Sequence, residues 1–454
     1  MKKYMNPKIK NRELILNGSL LRSIAILAVP IIINSFIQTM YNLTDTYWLG
    51  KLGADNQAAI TLITPVQNII VNFGTGIVTA GSILIAQALG ARKDKEAREM
   101  AAHVLICSIT FAMLFAAIGF LFTPGIVAWM GASGTVASYA TTYMRIIVLD
   151  MPFLFMINVF TSVNQSQGNS WTPMLLNLSG VILNMILDPL LMMVFDLGIF
   201  GAGMATLCAK IPCAVIAGVS LFNQHNPIFV TFRGFHFKKD MLKSIVRIGL
   251  PTAIGGSTMQ FGFLLMSKNV TKYGTVALAS YGIGNKINGL ISLPSNAMGS
   301  ATATIVGLNI GAGNYERAQK AYKLARNMIV TFLFVGGLIL SSDPVSTYLA
   351  SIFSDSEDVI KNASDYLSIM ALFCFTNGVH NTTNGLFQGS GHTMITMGVE
   401  AARIWVFRFA TLFVCERVLH MGLASVWYSV VVSNALAPMV LYILYRMGIW
   451  KKKV

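Results

Sequence analysis

Charged residues are scarce in this sequence. Asp, Glu, Lys and Arg make up 11% of it and hydrophobic residues 54%, where soluble domains carry roughly 25% charge. That scarcity excludes a water-soluble globule and makes every charge inside an apolar run informative. Cysteine is sparse too. Cys107, Cys208, Cys213, Cys374 and Cys415 all fall in apolar runs, with no CxxC and no paired loop spacing, which argues against a disulfide framework and against Cys/His metal ligation. The six histidines show neither His-x-x-x-His nor a Ser/His/Asp set, so the usual marks of a membrane enzyme are missing. The longest polar connection, about 223–243, is too short to bury a core, and no soluble domain is expected. The first 22 residues are polar and basic and lead into a full-length apolar run, so no cleavable signal peptide is expected.

What the chain has instead is apolar length. Stretches of about 20 hydrophobic residues, enough to cross a bilayer, recur from end to end. Spans are expected near 24–47, 57–81, 100–122, 137–160, 171–195, 201–222, 245–268, 277–300, 324–342, 363–386, 393–415 and 422–445. The fold class that follows is an all-α polytopic membrane protein with twelve transmembrane helices. The net charge of +15 is then an orientation signal. Lys2, Lys3, Lys8, Lys10, Arg12 and Arg22 precede span 1, and Arg92, Lys93, Lys95 and Arg98 follow span 2. Arg233, Lys238, Lys239, Lys243 and Arg247 follow span 6, Arg317, Lys320, Lys323 and Arg326 follow span 8, and Arg446 with Lys451–Lys453 closes the chain. All these segments fall on one side of a twelve-span arrangement. The 343–365 connection on the other side is acidic, with Asp343, Asp355, Glu357, Asp358 and Asp365. The positive-inside rule puts both termini in the cytoplasm of a multi-pass protein of the cell membrane. Nucleic-acid binding is not expected, because the basic residues are scattered over short loops rather than gathered on a folded face.

The chain also states one pattern twice. Ser23–Ile33 (SIAILAVPIII) recurs 221 residues later as Ser244–Ile254 (SIVRIGLPTAI), which sets Pro30 against Pro251. The same shift sets Leu89-Gly90-Ala91 against Ile310-Gly311-Ala312, Gln167-Gly168 against Gln388-Gly389, and Gly201 against Gly422. An ungapped offset held over so many segments indicates duplication, a common transporter architecture. It predicts a first six-helix lobe over 1–222, a cytoplasmic linker over 223–243 and a second lobe over 244–454. The copies differ in a telling way: Asp45, Asn184, Asp188 and Thr206 fall opposite Met266, Trp405, Phe409 and Trp427. A polar site in the first half is replaced by apolar bulk in the second.

Polar residues inside the spans line up at helical spacing. Asn34, Gln38, Tyr41 and Asp45 share one face of span 1, and Asn68, Asn72, Thr75 and Thr79 one face of span 2. Asn377, Asn381, Asn384 and Gln388 do the same in span 10, and Asn285, Asn288, Ser292 and Ser295 more loosely in span 8. Any one of them is most simply glue between helices. Four parallel stripes from both repeats point to a shared hydrated cleft. Asp45 and Asp188 weigh more, because intramembrane carboxylates are costly and mark ion or proton pathways. Asn184 and Asp188, four apart, share a face and could offer several hard oxygens to one small cation. Two carboxylates close together repel, which favours an exchangeable proton. The competing readings are a helix-end residue for Asp188, before Pro189, and an interfacial residue for Asp45, near Trp48. The loss of every counterpart in the second repeat favours an ion site. Lys286, Glu400, Arg403 and His380 are the remaining charged or titratable residues singled out in the second half. Lys286 reads as a substrate contact, a partner of a distant acid or a snorkelling lysine, Glu400 and Arg403 as a local pair, and His380 as a packed, hydrogen-bonded residue or a cleft-lining one.

These residues resemble a known family. Pro30 to Asn34, the run Asp45-Thr46-Tyr47-Trp48-Leu49-Gly50 and Leu52-Gly53 resemble the opening signature of the multidrug and toxin extrusion (MATE) family. Asn184-x-x-x-Asp188-Pro189, followed by Gly201-x-Gly203-x-Ala205-Thr206, resembles its fifth and sixth helices. The likeness spans essentially the whole chain, including Gly-rich turns after spans 2, 4, 8 and 10, and it is the order, spacing and duplication together that are specific. It implies a prokaryotic transporter whose two six-helix lobes form a V, a secondary active exporter of drugs and toxins, mostly organic cations, by antiport with H+ or Na+. In the branch that this chain resembles, a first-lobe cation site maps to Asp45, Asn184, Asp188 and Thr206, with Tyr41 and Asn158 around it, and Pro30 matches a proline at which the first helix can bend. Gln38, Asn68, Asn72, Lys286, Asn377, Asn381 and Asn384 are candidates for the substrate cleft. No cofactor beyond the coupling ion is implied, and the partners are small molecules and the lipid bilayer, with a monomeric chain. One departure matters: other branches carry a glutamate eight positions after the proline matched by Pro251, where this chain has Met259, with Gln260 beside it. Spans 7 and 8 hold no carboxylate, so no second-lobe cation site is carried over.

Rival functions leave weaker marks. A major-facilitator transporter also has six plus six spans, but Gly90-Ala91-Arg92-Lys93-Asp94-Lys95 lacks the Gly-x-x-x-Asp-Arg pattern of its second connection. A lipid-linked saccharide flippase of the related superfamily resembles a fourteen-span chain with a cationic cavity, whereas here buried acids dominate. An integral membrane enzyme is the alternative from another class. The 25 Met and 27 Phe fit adaptable apolar walls and equally fit lipid-facing surface.

Overall fold

The structure is a computed structural model and describes residues 7–452; Lys2, Lys3 and Lys453 of the basic termini lie outside them. In the first half α1 (Pro7–Asn17), α2 (Leu20–Lys51), α3 (Ala54–Gly90), α4 (Asp94–Trp129), α5 (Gly134–Ser166), α6 (Trp171–Pro189) and α7 (Gly198–Phe222) follow one another. A π-helical turn, Leu190–Val194, extends α6. The second half has α8 (Lys239–Val270), α9 (Thr275–Gly311), α10 (Tyr315–Leu340), α11 (Asp343–Ser351), α12 (Glu357–Leu372) and α13 (Phe375–Gly389). It ends with α14 (Thr393–Ala401), α15 (Phe409–Phe413) and α16 (Ala424–Arg446), with π-helical turns at Ala402–Arg408 and Val414–Val418. Helices are what hydrocarbon allows, since each satisfies its own backbone groups without water. Pro30, Pro65, Pro124, Pro152, Pro212, Pro251, Pro294 and Pro438 all lie inside them.

Duplication is visible in the helices themselves. The 221-residue shift carries 54–90 onto 275–311, the bounds of α3 and α9. Gly53 and Gly274, one shift apart, both enter these helices with positive φ, 107° and 96°, a conformation that strains any residue with a Cβ. Among the described residues eight helices meet the length and hydropathy of a membrane crossing: α2 to α7, α10 and α16. The repeat assigns the other four crossings to α8, α9, the α12–α13 pair and the α14–α15 segment. Large apolar side chains left bare, such as Leu121 and Val194 at 73% exposure, are the lipid-facing surface of this all-α polytopic membrane protein.

Three local features depart from the span pattern. The expected span 363–386 is two helices, α12 and α13, broken at Phe373-Cys374, where Cys374 Sγ bonds the Leu333 carbonyl of α10 at 3.1 Å. The 343–365 connection contains α11 and the start of α12. The polar stretch before span 1 is the helix α1, held by Asn11 Nδ2 donating to the Gly168 carbonyl at 3.0 Å and by Arg12 on Asp94 at 2.6 Å. Arg98 reaches the Pro227 carbonyl and Lys238 pairs with Glu99. The N-terminal helix and the connections after spans 2, 4 and 6 therefore meet on one face, as the alternation of spans requires.

By packing, the chain forms two compact units: Met1–Gly18 with Val29–Ala253, and Ser19–Ala28 with Ile254–Val454. This division is not the division by repeat. The start of α2 belongs with the second unit and the start of α8 with the first, and the changes of unit fall beside Pro30 and Pro251. In the first unit a buried cluster runs from Ile63 through Tyr143, Met151 and Phe155 to Met192. In the second, Met266, Tyr281, Tyr366 and Trp427 form one cluster, and Tyr322, Phe387, Tyr445 and Trp450 another.

Candidate functional site

The site in the first unit starts from α6. Asn184 and Asp188 stand one turn apart on its buried face, 3% and 0% exposed. Asn184 Nδ2 donates to Asp188 Oδ1 at 3.2 Å. Asn184 Oδ1 and Asp188 Oδ2 are buried without a hydrogen-bond partner, a costly state for oxygens that a proton or a small cation would relieve. Asp188 is also the residue before Pro189, at the end of α6, where the helix widens into a π turn. The helix-end reading and the buried-carboxylate reading thus describe one place.

The other walls come from α2, α5 and α7. The Thr206 hydroxyl on α7 donates to the Ala202 carbonyl at 3.3 Å and lies against the Tyr41 hydroxyl of α2. Asp45, one turn beyond Tyr41 and half-buried, acts electrostatically on both Asp188 and Tyr41. A cavity of about 230 Å³ opens beside these groups. Carboxamides line much of it: Asn34 and Gln38 from α2, Asn158 from α5, Asn177 and Asn184 from α6. Tyr41, Thr206 and Lys210 complete its polar lining. Asp45, Asn184, Asp188, Thr206, Tyr41 and Asn158 therefore share one neighbourhood, although Asp45 and Asp188 are not part of the cavity lining. Asn68 and Asn72, half-buried on α3, are not part of that lining.

Sequence reasoning passed over two charges here. Lys210 of α7, one turn after Thr206, forms an ion pair with Asp150 of α5, which is 1% exposed. Asp150 Oδ2 takes the lysine, and Oδ1 has no hydrogen-bond partner. Both residues sit inside apolar runs, where a charge marks a functional candidate as it does at Asp45 and Asp188. Paired, they cancel, and the net charge of the neighbourhood stays with Asp45 and Asp188.

In the second unit the counterparts of the site are apolar, and three of the four pack in or against the core. Met266 and Trp427 are buried in one cluster with Phe409 packed against it, while Trp405, 41% exposed, stacks on Phe261 at 6.0 Å. Asn381 donates to Ser295 Oγ at 2.9 Å and to Asn296 Oδ1 at 2.8 Å, and Ser295 donates to the Asn377 carbonyl at 2.8 Å. These bonds join α13 to α9, and an added Cβ on Gly299 or Gly385 would strike the facing helix's backbone, the close approach that small residues permit. Asn384 has an unpartnered buried Oδ1, and Lys286 is exposed on α9.

The sequence profile of the family described as MatE matches residues 30–190 and 251–414, two stretches that begin at Pro30 and Pro251. The chain belongs to the MatE family. It is 24% identical over 96% of its length to "Probable multidrug resistance protein YoeA" of Bacillus subtilis, of which it covers 95%. To "Multidrug export protein MepA" of Staphylococcus aureus it is 24% identical, with 92% of each chain covered. Among solved structures it resembles a transporter from Pyrococcus furiosus described as "Reverse polarity of binding pocket suggests different function of a MOP superfamily transporter", with TM-score 0.92, 25% identity and coverage of 98% of this chain and 99% of that one. An "Outward-facing conformation of a multidrug resistance MATE family transporter of the MOP superfamily" gives TM-score 0.92 at 24% identity, over 98% and 99% of the two chains. For this MatE chain, then, the family rests on a profile that matches most of the chain and the fold on structural matches over nearly its whole length.

Proposed function

We propose that this protein is a secondary active multidrug efflux transporter of the cell membrane, exporting organic cations and drugs by antiport with H+ or Na+, with both termini in the cytoplasm. The observation that carries this reading is Asp188: a carboxylate fully buried in a membrane helix, with one oxygen on Asn184 and the other unpartnered. Such a group is stable in hydrocarbon only when a proton or a cation neutralises it, which makes it a candidate for the exchanging site. Asp45 acts on it electrostatically, so occupancy of one carboxylate changes the cost of ionising the other. The adjoining cavity is lined by carboxamides and by Tyr41, Thr206 and Lys210. Because Lys210 is neutralised by Asp150, the uncompensated charge is negative and suits a cationic drug. Relatives carrying multidrug resistance and export names support the same reading. Pro30, in the third turn of α2, removes one backbone donor and leaves α2 a place to bend.

The test is efflux of a fluorescent organic cation from proteoliposomes under an imposed proton gradient or an imposed sodium gradient, one at a time. Export driven by at least one gradient is expected. Export that proceeds equally with neither would overturn the antiport reading.

A further inference from the structure

We propose that the second unit carries a proton-binding site of its own at His380, held between α13 and α14 by Glu400 and Arg403. The His380 ring is 3% exposed and Nε2 lies 2.7 Å from Glu400 Oε1. Glu400 Oε2 lies 3.0 Å from Arg403 Nη2. A guanidinium does not release its proton in a protein, so it keeps Glu400 ionised, and an ionised carboxylate only accepts. His380 Nε2 therefore carries the hydrogen, and Nδ1 is the lone-pair nitrogen. That Nδ1 is buried with no hydrogen-bond partner. With its N–H committed to Glu400, the imidazole keeps Nδ1 as the one nitrogen able to take a proton, and the Glu400 carboxylate is the charge that offsets the imidazolium.

The neighbours decide which ion suits the site. Arg403 Nη2 also reaches Met259 Sδ of α8 at 2.9 Å. Arg408, on the same π turn as Arg403, bonds Ser433 Oγ and Asn434 Oδ1 of α16 and lies over the Phe263 ring of α8; its field reaches Glu400. Toward α13, α9 presents Ser295 and Asn296, and α10 presents Tyr322, bonded to Thr383. Glu400 is thus the acid of a cluster with two guanidiniums: Oε1 faces His380, and Oε2 is ion-paired with Arg403 Nη2 without accepting a hydrogen bond. A metal cation would have to displace Arg403. A proton needs only the empty lone pair.

The site is also placed to act. Glu400 stands directly before the π-helical turn Ala402–Arg408, which carries both arginines. Such a widened turn is a recurrent feature of functional helices. Loading His380 makes it a second full cation on Glu400 and weakens the claim of Arg403 on the same carboxylate, so the turn is the element that responds. The duplication did not supply this cluster: His380, Glu400, Arg403 and Arg408 fall opposite Val159, Ser179, Ile182 and Leu187.

The experiment is NMR of the full chain with 15N-labelled histidine in lipid nanodiscs, a readout that needs no transport and stands whether or not Asp188 couples export. The His380 signals, assigned by their loss in His380→Gln, should change from the Nε2–H tautomer to imidazolium as the sample is acidified. In Glu400→Gln the imidazolium loses its carboxylate, and the transition should move to lower pH by about tenfold or more in proton affinity. Should His380→Gln fail to fold, the signal that moves in Glu400→Gln identifies the residue, and the absence of any moving signal counts against the site. A ring that holds one charge state throughout, or one that titrates identically in Glu400→Gln, overturns the proposal.

Discussion

At the scale of single residues, intramembrane charge separates the two halves. Asp188→Asn keeps shape and the bond with Asn184 but removes the exchangeable charge. It should abolish gradient-driven export while expression and drug binding survive, and Asp45→Asn should behave alike if the two carboxylates act as one site. Normal coupled transport by Asp188→Asn in proteoliposomes would remove it from the mechanism. The Asp150–Lys210 pair makes a different prediction. Removing one member leaves the other charge buried and unpaired, which costs about 3–5 kcal/mol, whereas replacing both with apolar or neutral isosteres is close to neutral. Lys210→Met should therefore lower the thermal unfolding midpoint of the purified protein, and Asp150→Asn in the same chain should restore most of it. Equal losses in the single and double variants would mean that the two charges are not coupled.

At the scale of helices, α2 and α8 are the elements in which the chain changes compact unit, each beside its proline. If Pro30 is a hinge, Pro30→Ala restores the bond to the Ile26 carbonyl, favours a straight α2 and slows transport while drug binding persists. Spin-label distances between α2 and α8 would then lose their dependence on pH or sodium; an unchanged response would make Pro30 merely architectural. Trp427 tests the opposite expectation. It is 3% exposed and packs against both Tyr281 and Tyr366, so Trp427→Ala should cost about 3–5 kcal/mol of stability. Export by whatever folds should keep its coupling ion. A selective loss of ion dependence with stability intact would show coupling shared between the repeats.

At the scale of the whole molecule, the proposed orientation rests on the basic and acidic connections and is open to a direct test. In a cysteine-free background in intact cells, Ser351→Cys in α11 should react with a membrane-impermeant thiol reagent, and Lys93→Cys should be protected until the cells are opened. The reverse pattern would invert the topology and put α1 and its partners outside.

Hydropathy, the 221-residue shift and the motif order were enough to establish an all-α membrane protein of two repeats and to nominate Asp45, Asn184, Asp188 and Thr206, because period, length and the cost of charge in hydrocarbon are local properties of a sequence. Distances between helices are not local. Only the folded chain seats Lys210 on Asp150, joins His380 to Glu400 across α13 and α14, and binds Asn381 of the apparent cleft stripe to Ser295 and Asn296 of α9. Only the folded chain breaks the expected tenth span at Phe373-Cys374 against α10 and turns the basic prelude into the helix α1. The exchange of the first turns of α2 and α8 between compact units has no signature in composition either, since a helix keeps its period whichever neighbours it packs against.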